Sequence, residues 1–212
     1  MTNQAENLAI YIRSLPDFRI VVSIDDPYGH IGATLTDAVL QAGINYKKVV
    51  QPRAERVRDA YPEAQTTSGF AHALEQFGVG RVLNWGSGPK PERLQALVSL
   101  LLQNGIETEN QLRIWLENPA NLQRLRQIKG IKDKTAHYLQ ILVGAQTVAV
   151  DGHLFQFLAE AGMPTNSYDI AHRLIRETST VLSVEPSILD HSIWRYMSER
   201  STRNAVMRCA AT

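Results

Sequence analysis

The sequence predicts an all-α protein. Apolar residues recur at helical spacing from residue 31 almost to the C-terminus. Gly78, Gly105 and Gly162 stand where helices are expected to end. A central stretch, residues 125–157, contains two helical runs joined by a short turn. Together these observations favour helix over strand along most of the chain.

The helices follow one another with short connections. The first is predicted over residues 6–15, where an amphipathic run ends at Pro16. Residues 18–24 have strand-like composition, but a single strand has no partner, so this segment is either extended chain or a helix imposed by its surroundings. Asp25-Asp26-Pro27-Tyr28-Gly29 is a predicted turn. Further helices are predicted over residues 31–42, 46–61, 67–77, 91–103, 108–117, 119–127, 134–143, 152–161, 168–180 and 186–199.

The central stretch is predicted to be a helix-hairpin-helix. Its turn is Lys129-Gly130-Ile131-Lys132-Asp133, and the second helix follows. Two apolar faces can pack together across this turn; they are formed by Ile128, Ile131, Ala136, Leu139 and Leu142. A hairpin of this kind directs backbone N–H groups and a helix N-terminus outward, which suits a phosphate group.

Two motifs in this stretch resemble the helix-hairpin-helix DNA glycosylases of the endonuclease III superfamily. They are Gly130-Ile131-x-x-Lys134-Thr135-Ala136 and Val150-Asp151-Gly152-His153, and they place Lys134 and Asp151 seventeen residues apart, as is typical of the superfamily. The resemblance is clear over residues 125–157 and extends back to about residue 31. It implies the all-α HhH-GPD glycosylase fold, in which two helical subdomains enclose a cleft.

The same resemblance implies a division of the chain and two catalytic residues. Residues 1–30 with 151–212 would form one helical subdomain, and residues 31–150 a six-helix bundle with the helix-hairpin-helix at about 122–143. Lys134 would be the nucleophile of the lyase-type enzymes, and Asp151 the catalytic acid. Asp151 is expected to lie across the cleft from the Lys134 amine.

The chemistry of base removal explains why these two residue types are needed. Breaking the bond between a base and C1′ builds positive charge on the sugar, which a nearby carboxylate stabilises. An amine that attacks C1′ forms a Schiff base and permits elimination of the 3′ phosphate. The amine must be neutral, so burial or neighbouring cations such as Lys129 and Lys132 must lower its pKa. The alternatives are that Asp151 is only a helix N-cap and Lys134 only a surface charge.

The hairpin departs from the family pattern at two positions. The usual second glycine is Lys132, which would cost about 1 kcal/mol if the backbone there were left-handed. Asp133 suits a phosphate poorly and is interpreted as a cap of the second helix.

Composition narrows the class of enzyme. Net charge is +1, so DNA contacts require clustered basic residues, and five Lys or Arg lie both within residues 47–59 and within 124–134. The single cysteine, Cys209, excludes a four-cysteine iron–sulfur cluster and points to the cluster-free branches, which include 8-oxoguanine and alkylated-base glycosylases. The six histidines have no metal-ligand spacing, and no apolar run is long enough for a membrane span.

Further contacts with DNA are expected from three regions. Gln41 or Asn45 could fill the gap left by a flipped base, although Asn45 would equally serve as a helix N-cap. Lys90, in the loop from residue 84 to 90, could contact a phosphate. Trp194 and Asp190 are candidates for the base pocket, whereas a tryptophan on such a helix is more often part of the core. Gly130, Ile131, Lys132 and Lys129 are the expected hairpin contacts.

The expected function is a base-excision repair glycosylase with AP-lyase activity. Its partner would be double-stranded DNA with a damaged base, an oxidised one among the candidates, or with an abasic site. It would act as a cytoplasmic, nucleoid-associated monomer, without a cofactor, a metal or a membrane. Two alternatives are a monofunctional glycosylase for alkylated or mismatched bases, in which Asp151 directs water, and a DNA-binding module without catalysis.

Overall fold

The computed structural model describes residues 3–24 and 27–210, with side chains described up to residue 200. Within these ranges every regular element is a helix, which confirms the all-α class. Asp25 and Asp26 of the predicted turn lie outside the described residues, as does the side chain of Cys209. None of the described helices is both long enough and apolar enough to cross a bilayer.

Twelve α-helices lie in the described part of the chain. They are α1 (Asn3–Ser14), α2 (Ile31–Leu40), α3 (Gln51–Ala60), α4 (Thr67–Phe77), α5 (Val79–Leu83), α6 (Pro89–Gln103), α7 (Glu109–Trp115), α8 (Pro119–Arg126), α9 (Asp133–Leu142), α10 (Gly152–Glu160), α11 (Tyr168–Leu182) and α12 (Pro186–Ala210). A π-helical turn (Tyr46–Val50) precedes α3, and a 3₁₀ turn (Pro62–Gln65) follows it.

The chain forms two compact units. Unit 1 consists of Met1–Asp25 and Gln146–Thr212, and unit 2 of Asp26–Ala145. Unit 1 therefore contains α1 and α10 to α12, and unit 2 contains α2 to α9. The resemblance places the corresponding boundaries near residues 30 and 150, five residues later in each case.

Helix α2 is the centre of unit 2. Every residue of α2 is buried, and the helix packs against α3, α6 and α9. Its sequence, IGATLTDAVL, is small and apolar apart from Asp37 and two threonines, which allows close approach of its neighbours. A Cβ added at Gly32 would lie 2.9 Å from the Cβ of Ala64, so the glycine fits where a larger residue would collide. The helix begins at His30, whose Nδ1 accepts from the N–H of Ala33.

Unit 1 has its own core, in which α1 packs on α11, and α10 and α11 pack on α12. Phe157 lies at its centre and is fully buried against the rings of Tyr11 and Phe18. Residues 18–24 form no helix or strand, so the extended-chain alternative is confirmed. The N–H of Val21 donates to Oγ of Ser192 at 3.0 Å, which gives this backbone a partner without a second strand.

Most helix ends follow the predicted signals. Gly78, Gly105 and Gly162 all have positive φ at or just beyond a helix C-cap, which confirms their predicted role. The predicted helix 46–61 is instead a π-helical turn followed by α3. Pro52 explains the break, because its ring nitrogen has no hydrogen to donate to the preceding turn.

Candidate active site

The hairpin connects α8 to α9 and is braced by α6. Gly130 has φ +90°, a conformation that favours glycine, and a Cβ there would lie 1.8 Å from the guanidinium of Arg93. Arg93 Nε donates to the carbonyl of Lys129 at 3.1 Å. Ile131 is buried, and its N–H donates to the carbonyl of Ile128. The tip of the hairpin is therefore fixed by an arginine that the sequence motif does not contain.

The two departures from the family pattern have simple structural explanations. Lys132 has φ −119° and ψ −174°, which is extended backbone, so no left-handed strain arises and a glycine is not required. The predicted capping role of Asp133 is wrong, because Lys132 is the N-cap of α9 and no side chain caps it. The Asp133 carboxylate pairs instead with Arg126 of α8, with 2.5 Å between Oδ1 and Nε.

Lys134 lies in the first turn of α9 and is partly buried. Its amine donates a hydrogen bond to Oε1 of Gln41, the C-cap residue of α2. Its Nζ also lies 5.9 Å from the ring centroid of Tyr138, one turn further along α9. The side chain predicted to be the nucleophile is thus held by a residue from the central helix of unit 2.

Asp37 lies one helical turn before Gln41 and is fully buried. Its Oδ1 accepts from the hydroxyl of Tyr138 at 3.0 Å. Its Oδ2 accepts from the hydroxyls of Tyr28, at 2.7 Å, and Tyr46, at 3.1 Å. One carboxyl group therefore receives three phenolic hydrogen bonds.

These contacts form a ladder with two rungs between α2 and α9. One rung joins Asp37 to Tyr138, and the other joins Gln41 to Lys134. The residues on each helix are four apart, so they lie on one face and meet their partners in register. We refer to these four residues as the α2–α9 ladder.

Burial and charge act in opposite directions on the acidic end of the ladder. Burial has the larger effect and raises the pKa of Asp37, while the hydrogen bonds from the three phenols and the positive charge of Lys134 oppose this rise and favour the carboxylate. Burial, followed by the charge of Asp37, raises the pKa values of Tyr138 and Tyr28. The fold therefore favours the neutral, hydrogen-bonded form of these phenols.

The amine of Lys90 is held by the end of α2. It donates to the carbonyls of Val39 at 3.3 Å, Leu40 at 2.6 Å and Ala42 at 3.0 Å, and lies 5.7 Å from the ring centroid of Trp85. Burial and the charges of Arg93 and Lys134 lower its pKa to about 8. This geometry gives Lys90 a helix-capping role, and its predicted contact with a phosphate stays a prediction.

The two candidates for filling the gap left by a flipped base differ in exposure. Gln41 is only 8% exposed, and its carbonyl is engaged by Lys134. Asn45 is exposed, and its Oδ1 accepts from the N–H of Lys48 at 2.9 Å, which confirms the N-cap interpretation. Asn45 is therefore the only one of the two with a side chain at the surface.

The predicted basic clusters contain both exposed and engaged side chains. Several arginines bond to protein groups: Arg53 to the carbonyls of Asn84 and Val49, Arg56 to the carbonyl of Val82, Arg124 to Asn104 and Arg126 to Asp133. Four of the five lysines are exposed, namely Lys47, Lys48, Lys129 and Lys132, while Lys134 is partly buried. These four lysines add accessible positive charge to the clusters.

Asp151 is the N-cap of α10 in unit 1. Its Oδ1 accepts from the N–H groups of His153 at 2.8 Å and Leu154 at 3.2 Å, so the capping interpretation is confirmed. Its Oδ2 lies 3.4 Å from Nδ1 of His153, and the side chain is 18% exposed. One carboxylate oxygen thus holds the helix, while the other faces an imidazole near the surface.

The residues predicted to line a base pocket have different surroundings. Asp190 is buried, and its Oδ2 accepts from the N–H of Ala149 at 2.6 Å, which fixes the backbone two residues before Asp151. Trp194 is partly buried, and the centroid of its ring lies 6.5 Å from that of His153 and 5.5 Å from that of His191. Asp190 therefore supports the segment that carries Asp151, and Trp194 packs beside the histidine that Asp151 faces.

A family model for a domain of unknown function (DUF8548) matches residues 81–198, which is more than half of the chain. The chain belongs to this family. No curated protein matches the sequence. The matched region of this DUF8548 protein includes the hairpin, Lys134 and Asp151, whereas Asp37 and Gln41 precede it.

The sequence motifs of the DUF8548 protein point to Lys134 and Asp151 but not to their partners. Asp37, Tyr138 and Arg93 were missed because their contacts join residues far apart in the chain. One signal was present: Asp37 is the only charged residue in the ten residues of α2, and Gln41 follows it by four. An acid on an otherwise apolar helix is rarely buried unless it has partners.

Proposed function

We propose that this protein is a DNA glycosylase with AP-lyase activity that acts on damaged bases in double-stranded DNA. The observation that carries the proposal is the position of Lys134. Lys134 lies in the first turn of the second hairpin helix, and its amine is hydrogen-bonded to Gln41, which follows the buried Asp37 by one helical turn. Partial burial and fixed orientation are what a lysine nucleophile requires. The resemblance of the surrounding motif to the HhH-GPD glycosylases also supports this role.

In the proposed reaction Lys134, as the free amine, attacks C1′ of the damaged nucleotide. The bond between C1′ and the base breaks, and the base departs with the bonding electron pair. The amine nitrogen loses a proton and forms a double bond to C1′ as the C1′–O4′ bond breaks and O4′ takes up a proton, which gives a ring-opened Schiff base on Lys134. Loss of a C2′ proton then expels the 3′ phosphate. The Asp151 carboxylate stabilises the positive charge that develops on the sugar.

The hairpin would supply contacts with the DNA backbone. Lys129 and Lys132 are exposed on either side of Gly130, and α9 begins immediately after Lys132. Ammonium groups next to a helix N-terminus attract phosphate. These contacts would be independent of base sequence, so damage recognition must come from elsewhere in the protein.

Borohydride trapping tests the proposal. The protein is incubated with duplexes that contain an abasic site, 8-oxoguanine or no lesion, and the Schiff base is reduced. We expect a covalent adduct and strand nicking with at least one lesion, and their loss in Lys134→Gln with DNA affinity largely kept. Lys129→Gln serves as the matched hairpin variant, and it should still form the adduct at saturating protein. Wild-type trapping in Lys134→Gln would overturn the assignment of the nucleophile.

A second candidate is a DNA-binding module without catalysis. It is favoured by one observation, that Oδ1 of Asp151 is engaged in capping α10. This candidate predicts lesion-independent binding, with neither base release nor a trapped adduct. Base release without an adduct would instead identify a monofunctional glycosylase in which Asp151 directs water.

A further inference from the structure

The amine of Lys134 is hydrogen-bonded to Gln41, which lies one helical turn after Asp37 and between Leu40 and Ala42, the residues whose carbonyls hold the amine of Lys90. The positive charge of Lys134 acts to lower the pKa of Asp37, against the larger effect of burial, and it also lowers the pKa of Lys90. Asp37 comes from α2, and Lys90 comes from α6. A negative neighbour favours the ammonium form of a lysine, and a positive neighbour favours the free amine.

Neither neighbour can easily move away. The carboxylate of Asp37 is fixed by the hydroxyls of Tyr28, Tyr46 and Tyr138. The amine of Lys90 is fixed by three carbonyl groups at the end of α2. Fixed charges in a poorly hydrated interior act more strongly on a third group than mobile surface charges do.

The charged and titratable groups around this site come from four parts of unit 2. Tyr28 precedes α2, Tyr46 belongs to the π-helical turn, Tyr138 belongs to α9 and Lys90 belongs to α6. Lys90 in turn faces Arg93 on its own helix, and Tyr28 faces Arg58 of α3. Asp37 supplies the negative charge among these groups, and a second acid, Glu109 of α7, accepts hydrogen bonds from Thr34 of α2 and from the N–H of Gly29.

We propose that Asp37 and Lys90 jointly set the protonation state of Lys134, with Asp37 as a positioning residue for the ammonium form and Lys90 as the opposing charge. The inference rests on the proposed function in that Lys134 is taken to be the nucleophile. In the resting protein the ammonium form of Lys134 donates to Gln41 and is favoured by the negative charge of Asp37. The fraction that is free to attack rises with pH, about a midpoint that these two neighbours determine.

The pH dependence of borohydride trapping at an abasic site tests this arrangement. Asp37→Asn removes the negative charge with little change of shape, and we expect the midpoint of the trapping rate to move about one pH unit lower. Lys90→Met removes the opposing positive charge and should move the midpoint to higher pH. Asp59→Asn, which neutralises an exposed acid of the same unit, should leave the midpoint in place. A purely structural role would reduce the rate without moving the midpoint.

A measurement without DNA separates this inference from the proposed function. Lysines of the intact protein are reductively methylated with ¹³C, the Lys134 signal is assigned with Lys134→Arg, and its titration is followed by NMR. A lower midpoint in Asp37→Asn supports the inference even if the wild-type protein traps no DNA, in which case only the proposed function fails. An unchanged midpoint overturns the inference even if trapping succeeds. If Asp37→Asn does not fold, Tyr138→Phe should give a smaller shift in the same direction, and no shift there overturns the inference as well.

Discussion

Lys134 and Asp151 are held in opposite ways. Asp151 is fixed by its own neighbours, since its carboxylate accepts from the N–H groups of residues two and three positions later. Lys134 is fixed from a distance, since its amine donates to Gln41, which is 93 residues earlier in the chain. The position of Asp151 therefore depends on one helix end. The position of Lys134, the proposed nucleophile, depends on the packing of α9 against α2.

Mutations therefore separate charge from structure more easily at Asp151 than at Lys134. A local cap can be preserved by a residue of similar shape, so the charge of Asp151 can be removed while α10 keeps its N-terminus. The surroundings of Lys134 are shared among several buried side chains, so a change at any of them alters both the fold and the amine.

The largest effect is expected from removing the charge of Asp151. Asparagine is as good an N-cap as aspartate, so Asp151→Asn should leave the unfolding free energy nearly unchanged while base excision falls on the order of a hundredfold or more. Nicking at preformed abasic sites should be less affected, because no base has to depart. The measurement is single-turnover base release beside urea unfolding.

Asp151→Ala completes that comparison. It removes the cap as well as the charge, and it should lower the unfolding free energy by about 1 kcal/mol. Full base excision in Asp151→Asn would show that the residue is only a cap.

The next effect concerns the stability of unit 2. Asp37→Ala removes the acceptor of three phenolic hydrogen bonds and opens a space between α2 and α9, so we expect the unfolding free energy to fall by roughly 3 kcal/mol. Asp59→Ala is the surface control and should change it by less than about 0.5 kcal/mol. Urea unfolding followed by circular dichroism measures both. Equal losses in the two variants would mean that the ladder contributes nothing to the fold.

Alkaline pH should weaken unit 2 through its tyrosines. The pKa values of Tyr28 and Tyr138 are raised above the ordinary 10.0 by burial, and then by the charge of Asp37. The unfolded chain therefore loses these protons first, so their contribution to stability is complete below pH 10 and declines as pH rises above it. Urea unfolding at pH 9, 10 and 11 should show this decline, with a shallower one in Tyr138→Phe.

The smallest effect is expected at the hairpin surface. Lys132 is exposed in extended backbone at the N-terminus of α9. If it contacts a phosphate, Lys132→Ala should weaken binding to all duplexes alike and reduce the slope of log affinity against log salt by about one. Glu117→Gln provides a surface control away from the hairpin. An unchanged slope in Lys132→Ala would remove this lysine from the DNA contacts.

The same contrast explains what the sequence can predict. Helix ends marked by glycines, the N-cap at Asp151 and the hairpin glycine at 130 depend on neighbouring residues, so local patterns are sufficient to find them. The break of the predicted helix 46–61 also has a local cause, Pro52, although the apolar periodicity of this segment continues through it.

The remaining features depend on contacts that no local pattern contains. Residues 18–24 look like a strand, but the N–H of Val21 donates to Ser192 of α12 and not to a second strand. Lys90 follows a glycine-rich loop in the sequence, and the structure places it in the first turn of α6 with its amine on the carbonyls at the end of α2. The partners of Lys134 become visible only once α2 and α9 are packed together.

Mapping the reduced adduct tests the central claim most directly. The protein is trapped with borohydride on a duplex that contains an abasic site, digested, and sequenced by tandem mass spectrometry. The account predicts that the sugar remnant is attached to Nζ of Lys134 and to no other lysine. An adduct on Lys90, on the N-terminal amine or on a hairpin lysine, or the absence of any adduct while base release continues, would contradict it.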